Sequence, residues 1–270
     1  MGQEAEAERN RCSRRAVGHP RAQLGCLLFL LLTASCERGS QTGPPAAAPT
    51  LPPVQGFHGL APSPLPSVSL GPRTKTPFPV GSYREDYEFS DDWFTYNIPV
   101  WEKAFAPYAG RPGLRYLEVG AFEGRSLLWA LENVLTGPGA RATVIDLFEG
   151  DLKRRFLANL KRSGEERKVT VIAGYSQIEL RRQPLDGYDI AYIDGSHSAD
   201  DVLEDAILTW RLLKPGGLLI FDDYERTQRQ AKDNPGPALD VFYTFYGRHF
   251  EVVHAGYQLI LRKRADGAVQ

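Results

Sequence analysis

The sequence predicts an α/β fold: a doubly wound, mostly parallel sheet with helices on both faces, closed by a C-terminal antiparallel hairpin. Three observations predict it. From residue 114 onward, short apolar segments alternate with stretches whose apolar residues recur at three- and four-residue spacing. Several of the short segments stop at a Gly or an Asp, as strands do when they turn into a loop before a helix. The last two, Phe250 to His254 and Gln258 to Arg262, have no helix between them, only Ala255-Gly256 and a neighbour. One of that pair must therefore run antiparallel.

The elements follow in order. A strand from Leu114 to Val119 halts at Gly120, and Leu127, Leu128, Leu131 and Val134 then mark a helix. Pro138-Gly139 breaks the chain before a second strand, Ala142 to Ile145, that ends at Asp146. A helix from about Leu152 to Arg162 leads to a third strand, Val169 to Ala173, and Asp189 to Ile193 is the fourth, ending at Asp194. Ser198 with Asp201 reads as a capping box for a helix running to Leu213. Lys214-Pro215-Gly216-Gly217 is expected to stop that helix before a fifth strand, Leu218 to Phe221, ending at Asp222-Asp223. Asp240 to Tyr246 reads as a last helix before the hairpin, which brings the strands to seven.

Before this domain the composition changes twice. Arg9, Arg11, Arg14, Arg15 and Arg21 precede an apolar run from Leu24 to Leu32, and Thr33-Ala34-Ser35-Cys36 follows. A basic region, a short apolar run and small residues describe a secretory signal, and small residues before Cys36 also resemble a lipoprotein signal. The apolar run is about half of the ~20 residues a membrane span needs. Residues 37–80 hold about half of the prolines, a composition expected of an extended, disordered linker. The expected division is thus a signal-like segment 1–36, a linker 37–80, a folded domain 81–265 and a tail 266–270.

Tyr83 to Tyr108 is rich in aromatics and reads either as a lid over a ligand or as a helical layer on the sheet, with Asp91 or Asp92 as a cap and Pro99 in a first turn. The net charge of −1 argues against a nucleic-acid surface, and Lys153, Arg154, Arg155, Lys161 and Arg162 read as the solvated face of a helix. Cys12, Cys26 and Cys36 all precede the linker, so the domain itself offers no thiolate chemistry.

The motifs then carry a resemblance. Leu117 to Ser126 reads L-E-V-G-A-F-E-G-R-S, Asp194 to His197 reads D-G-S-H, and Leu213 to Gly217 reads L-K-P-G-G with Asp222-Asp223 following. In that order and spacing they resemble the class I S-adenosylmethionine-dependent methyltransferases, a Rossmann-like fold, and within them the small O-methyltransferase-like branch of the methyltransferase 24 type. The resemblance implies S-adenosylmethionine as cofactor, transfer to the oxygen of a small hydroxylated substrate, and in some relatives Mg²⁺. It places Glu118, Gly120, Gly124, Ser126, Asp146, Ser176 and Asp194 around the cofactor, with Asp146 toward the ribose and Ser176 toward adenine. Phe122 stands where the wider superfamily has a glycine.

Chemistry gives some of these residues a role of their own. Strand ends of a parallel sheet share one crevice, so Asp194, Asp222 and Asp223 should converge there, and three carboxylates suit Mg²⁺. His197 is the candidate base for a substrate hydroxyl, with Asp194 beside it; His249 and His254 read as structural. Tyr224 to Pro237, interrupted by Asn234-Pro235-Gly236-Pro237, is a candidate substrate lid carrying Arg226 and Arg229. Two other functions stay open: a non-catalytic, membrane-tethered binding module, and a nicotinamide-dependent oxidoreductase. A homodimer stays open too. Localisation divides between the cytosol, where the cofactor is made, and a membrane or exported site, which the N-terminus suggests.

Overall fold

Side chains of each central strand alternate between the two faces of the sheet, and that alternation fixes the layers. In β1 (Arg115–Val119), Tyr116 packs on one side of the sheet while Leu117 and Val119 pack on the other. The computed structural model describes residues 86–225 and 234–265, all within a unit spanning Phe57–Gln270. The expected segments 1–36 and 37–80, residues Arg226 and Arg229, and the tail 266–270 lie outside the described residues.

The remaining elements are α1 (Ile98–Phe105), α2 (Arg125–Asn133), β2 (Arg141–Asp146), α3 (Leu152–Ser163), β3 (Val169–Ala173), a short α4 (Ser176–Glu179), β4 (Tyr188–Ile193), α5 (Ala199–Leu212), β5 (Leu213–Phe221), α6 (Pro235–Tyr246), β6 (Phe250–Ala255) and β7 (Leu259–Lys263). The seven strands lie in the order β3-β2-β1-β4-β5-β7-β6. The first five are parallel, and β7 pairs antiparallel with both β5 and β6. The fold class expected from sequence is therefore the one observed.

One face is covered by α1, α2 and α3 through Trp101, Phe105, Leu127, Leu128 and Phe156; the other by α5 and α6 through Ala206, Trp210, Leu239 and Phe242. Trp101 is fully buried and meets Phe94, Trp129 and Tyr192 edge-on. Part of the aromatic N-terminal segment is thus a helical layer. Phe89, Trp93 and Phe94, ahead of α1, also line a cavity. Among the described residues no helix is long and apolar enough to cross a membrane.

Three local expectations are corrected. Lys214–Gly217 is not a turn ahead of β5 but a bulge within it: Tyr188 pairs with Leu213, and the next pair joins Ile190 to Leu218. Gly216 takes φ +79° there, and its carbonyl accepts the Tyr108 hydroxyl at 2.6 Å. The capping box on α5 does not form. Ser198 occupies the N-cap, but its hydroxyl goes to Asp200, while Ser196 and Gln177 claim the Asp201 carboxylate. Finally, Asn234-Pro235-Gly236-Pro237 starts α6 rather than breaking a lid. The Asn234 side chain accepts from the Gly236 N–H at 3.0 Å, and Pro235 sits in the first turn, where its missing N–H costs nothing.

Candidate active site

In the strand order, β1 and β4 are neighbours whose connections leave in opposite directions, and the crevice between their carboxyl ends is where doubly wound sheets bind ligands. Here the backbones nearly touch. A Cβ on Gly120 would lie 2.1 Å from the Asp194 carbonyl oxygen, and Gly120 has φ +81°, so both space and conformation require glycine. Gly124, at φ +90°, is the N-cap of α2 and does not line the cavity. Phe122 adopts a left-handed φ of +50°, the conformation a glycine would take most easily. The loop is held by Asp146: one carboxylate oxygen accepts the Ala121 and Phe122 N–H groups at 2.6 and 3.1 Å, and the other accepts Phe148 N–H at 2.6 Å. Asp146 therefore shapes the turn as well as facing the cavity.

Glu118 lies beneath that turn, not in the cavity wall. It is 0% exposed; the Tyr116 hydroxyl donates to one oxygen at 2.8 Å and Ser126 Oγ lies 2.5 Å from the other. Burial pushes its carboxyl up to about 7, against the relief those two hydroxyls give. Ser126 does line the cavity, so it connects Glu118 to whatever occupies the cradle. At the end of β3, Ser176 also lines the cavity and its hydroxyl meets Asp205 Oδ2 at 2.9 Å. Burial pushes Asp205 up to about 7 as well.

The opposite half of the crevice gathers Asp194, His197 and Asp223, whose ligand atoms lie within 4.8 Å of one another. Asp194 Oδ2 accepts the Tyr192 hydroxyl at 2.8 Å. His197 Nε2 lies 2.7 Å from Asp223 Oδ2, and the Tyr257 hydroxyl donates to Asp223 Oδ1. Asp222 behaves differently. Its Oδ1 accepts Gln258 Nε2 at 2.6 Å and Asn97 Nδ2 at 3.4 Å, and burial, then the charge of Asp194, hold its carboxyl well above the usual range. The expected trio of Asp194, Asp222 and Asp223 is therefore replaced by one in which His197 takes the place of Asp222. Two carboxylates and an imidazole are a more mixed donor set than the three carboxylates expected, and an imidazole is a softer donor than Mg²⁺ selects.

One cavity of about 1330 Å³ joins the two halves. It runs from Gly120, Asp146 and Ser176 to Asp194, His197 and Asp223. Sequence reasoning missed Tyr257, which lines it, and Gln258, Asn97 and Tyr192, which hold its carboxylates. The only sequence signal for Tyr257 and Gln258 was their position at the bend of the terminal hairpin.

A doubly wound sheet with this strand order, an antiparallel β7 and a glycine turn facing acidic strand ends is the class I methyltransferase architecture. Residues 117–224 match the family model described as "Methyltransferase domain", so the motif resemblance holds over that stretch. A curated relative, the uncharacterized protein R132 of Acanthamoeba polyphaga mimivirus, is 33% identical over 118 residues, which is 42% of this chain and 52% of the relative. The chain thus matches about half the length of that relative. Among solved structures, a putative O-methyltransferase from Klebsiella pneumoniae superposes with a TM-score of 0.52 at 16% identity, covering 66% of this chain and 84% of that one. The O-methyltransferase TomG from Streptomyces achromogenes, involved in tomaymycin synthesis and solved in complex with S-adenosylmethionine, gives 0.50 at 16% identity, with 63% and 79% covered. At these identities the superpositions establish the fold.

Proposed function

We propose that this chain is an S-adenosylmethionine-dependent O-methyltransferase acting on a small hydroxylated molecule. The observation that supports the reading best is the single cavity that links the glycine turn to an imidazole paired with a carboxylate. When bound, S-adenosylmethionine supplies a methyl carbon activated by a sulfonium. Gly120 and Ser126 would border its methionine portion, Asp146 the ribose and Ser176 the adenine edge. His197 would take the proton of the substrate hydroxyl as the oxygen–methyl bond forms and the methyl–sulfur bond breaks. Asp223 would orient the imidazole, and Asp194, facing the same space, would favour the imidazolium that results. Alignment of nucleophile, methyl carbon and sulfur accounts for the rest of the rate.

The donor set favours a reaction that needs no magnesium. Calorimetry with S-adenosylmethionine and with NAD tests the cofactor: binding of the first alone is expected, and binding of NAD alone would overturn the proposal. A screen of hydroxylated acceptors with and without EDTA then tests the chemistry. Turnover is expected to survive EDTA and to fall at least about 100-fold in His197→Ala. Activity lost to EDTA and restored by Mg²⁺ would return the metal to Asp194 and Asp223.

A further inference from the structure

Asp222 and Asp223 are adjacent, chemically identical and both buried, yet they take different partners. Two equally adjacent residues at the bend of the terminal hairpin separate them. Gln258 takes Asp222: its Nε2 donates to Oδ1 at 2.6 Å, and the Trp101 indole N–H, donating to Gln258 Oε1 at 2.7 Å, fixes which way that amide faces. Tyr257 takes Asp223, its hydroxyl donating to Oδ1, while the main chain clamps the same two segments through Tyr224 N–H to the Tyr257 carbonyl at 2.8 Å. Asp223 holds a left-handed φ of +59°, unusual for a residue with a side chain. Its second oxygen faces His197 Nε2 at 2.7 Å. Tyr96 packs edge-on against Tyr257, with centroids 5.4 Å apart, and braces it from the N-terminal side.

We propose that Tyr257 is a positioning residue: from the β6–β7 bend it locks the Asp223 carboxylate against His197 and thereby selects the imidazole tautomer. This role rests on the reading of His197 as the base of methyl transfer. A carboxylate only accepts, so with Oδ1 held by the phenol, Oδ2 accepts a hydrogen bond from the Nε2–H of His197. His197 then carries its hydrogen on Nε2 and keeps Nδ1 as the basic nitrogen. Removing the phenol hydroxyl leaves Oδ1 without that donor and lets the carboxylate turn. The imidazole then loses its single preferred tautomer. A divalent cation bound through Nε2 would demand the opposite tautomer, so the two uses of this trio exclude each other.

Nitrogen-15 and proton spectra of the full chain labelled at histidine, recorded at about pH 8.5, where free imidazole is neutral, read the tautomer directly. His197→Gln identifies the signal. The wild type is expected to show the Nε2–H form, and Tyr257→Phe, which keeps the ring, to show a mixture of both. Either an Nδ1–H form in the wild type or an unchanged single tautomer in Tyr257→Phe overturns the proposal. An Nδ1–H form in the wild type overturns the proposal even if the variant does not fold. In turnover, Tyr257→Phe is expected to lower kcat about 10- to 100-fold with the KM for S-adenosylmethionine unchanged. Absence of cofactor binding or of turnover in the wild type would defeat the methyltransferase reading while leaving the tautomer result to stand or fall alone.

Discussion

At the scale of single residues, the crevice depends most on Gly120. Its positive φ and its approach to the Asp194–Gly195 backbone leave no room for a side chain, because the three nearest facing atoms are all main chain and none can swing aside. Gly120→Ala is expected to cost about 2 kcal/mol or more and to abolish cofactor binding, measured by thermal unfolding and calorimetry. A variant with wild-type affinity would show that the turn can open without harm. The residues whose place beside one crevice was plainest from sequence sit at the ends of strands of the parallel sheet. Gly120, Asp146 and Asp194 are placed by strand termini that hydrophobic patterning reveals, and topology alone then brings them together. Tyr257 and Gln258 were not legible. Their nearness to Asp222 and Asp223 depends on β7 pairing back onto β5, a contact between segments about forty residues apart whose register no local pattern specifies. Glu118 was placed in the right element but beneath the cavity, because the alternation along β1 turns it toward Tyr116 and Ser126.

At the scale of elements, the segment before α1 is fastened by one buried carboxylate. Glu123, 1% exposed, accepts Ser90 N–H at 2.6 Å, Ser90 Oγ at 2.9 Å and the Arg155 guanidinium at 2.7 Å. Asn159, also buried, ties the Glu88 backbone to the same place at 2.9 and 2.8 Å. These bonds hold Phe89, Asp91 and Trp93 along the cavity wall. Glu123→Ala strips three donors of their acceptor and should destabilise by about 1–3 kcal/mol. The strap should then loosen, with faster proteolysis near residues 86–93 and weaker cofactor binding. Unchanged proteolysis with unchanged affinity would mean that the aromatic packing suffices. The Lys214–Gly217 bulge shows a limit of reading elements from sequence. Pro and two Gly signal a break, but not whether a strand resumes in the same ladder beyond it.

At the scale of the whole molecule, two carboxyls buried on opposite sides of the cofactor half should give stability a pH dependence of definite sign. Glu118 is pushed from 4.5, and Asp205 from 3.8, up to about 7, chiefly by burial. Between about pH 4 and pH 7 the folded protein therefore keeps protons that the unfolded chain has already shed. Their contribution to stability is complete below that window, declines as pH rises through it, and is lost above about 7, by up to about 3 kcal/mol for Glu118 and about 4 kcal/mol for Asp205. The melting temperature should accordingly fall between pH 5 and pH 8. Glu118→Gln, which stays neutral between Tyr116 and Ser126, should flatten that fall; an identical slope in the variant would place the effect elsewhere.

The position of β7 between β5 and β6 also sets an order of events during synthesis. Residues Arg115 to Phe221 can complete a five-stranded parallel sheet as they emerge, cofactor cradle included. The edge of β5 then stays bare until Leu259–Lys263 arrives, since β6 has no place on the sheet before β7 fills it. An open edge of buried apolar residues is the surface on which nascent chains aggregate. The same insertion delivers Tyr257 and Gln258. Closure of the vulnerable edge therefore coincides with the arrival of the two side chains that hold Asp222 and Asp223.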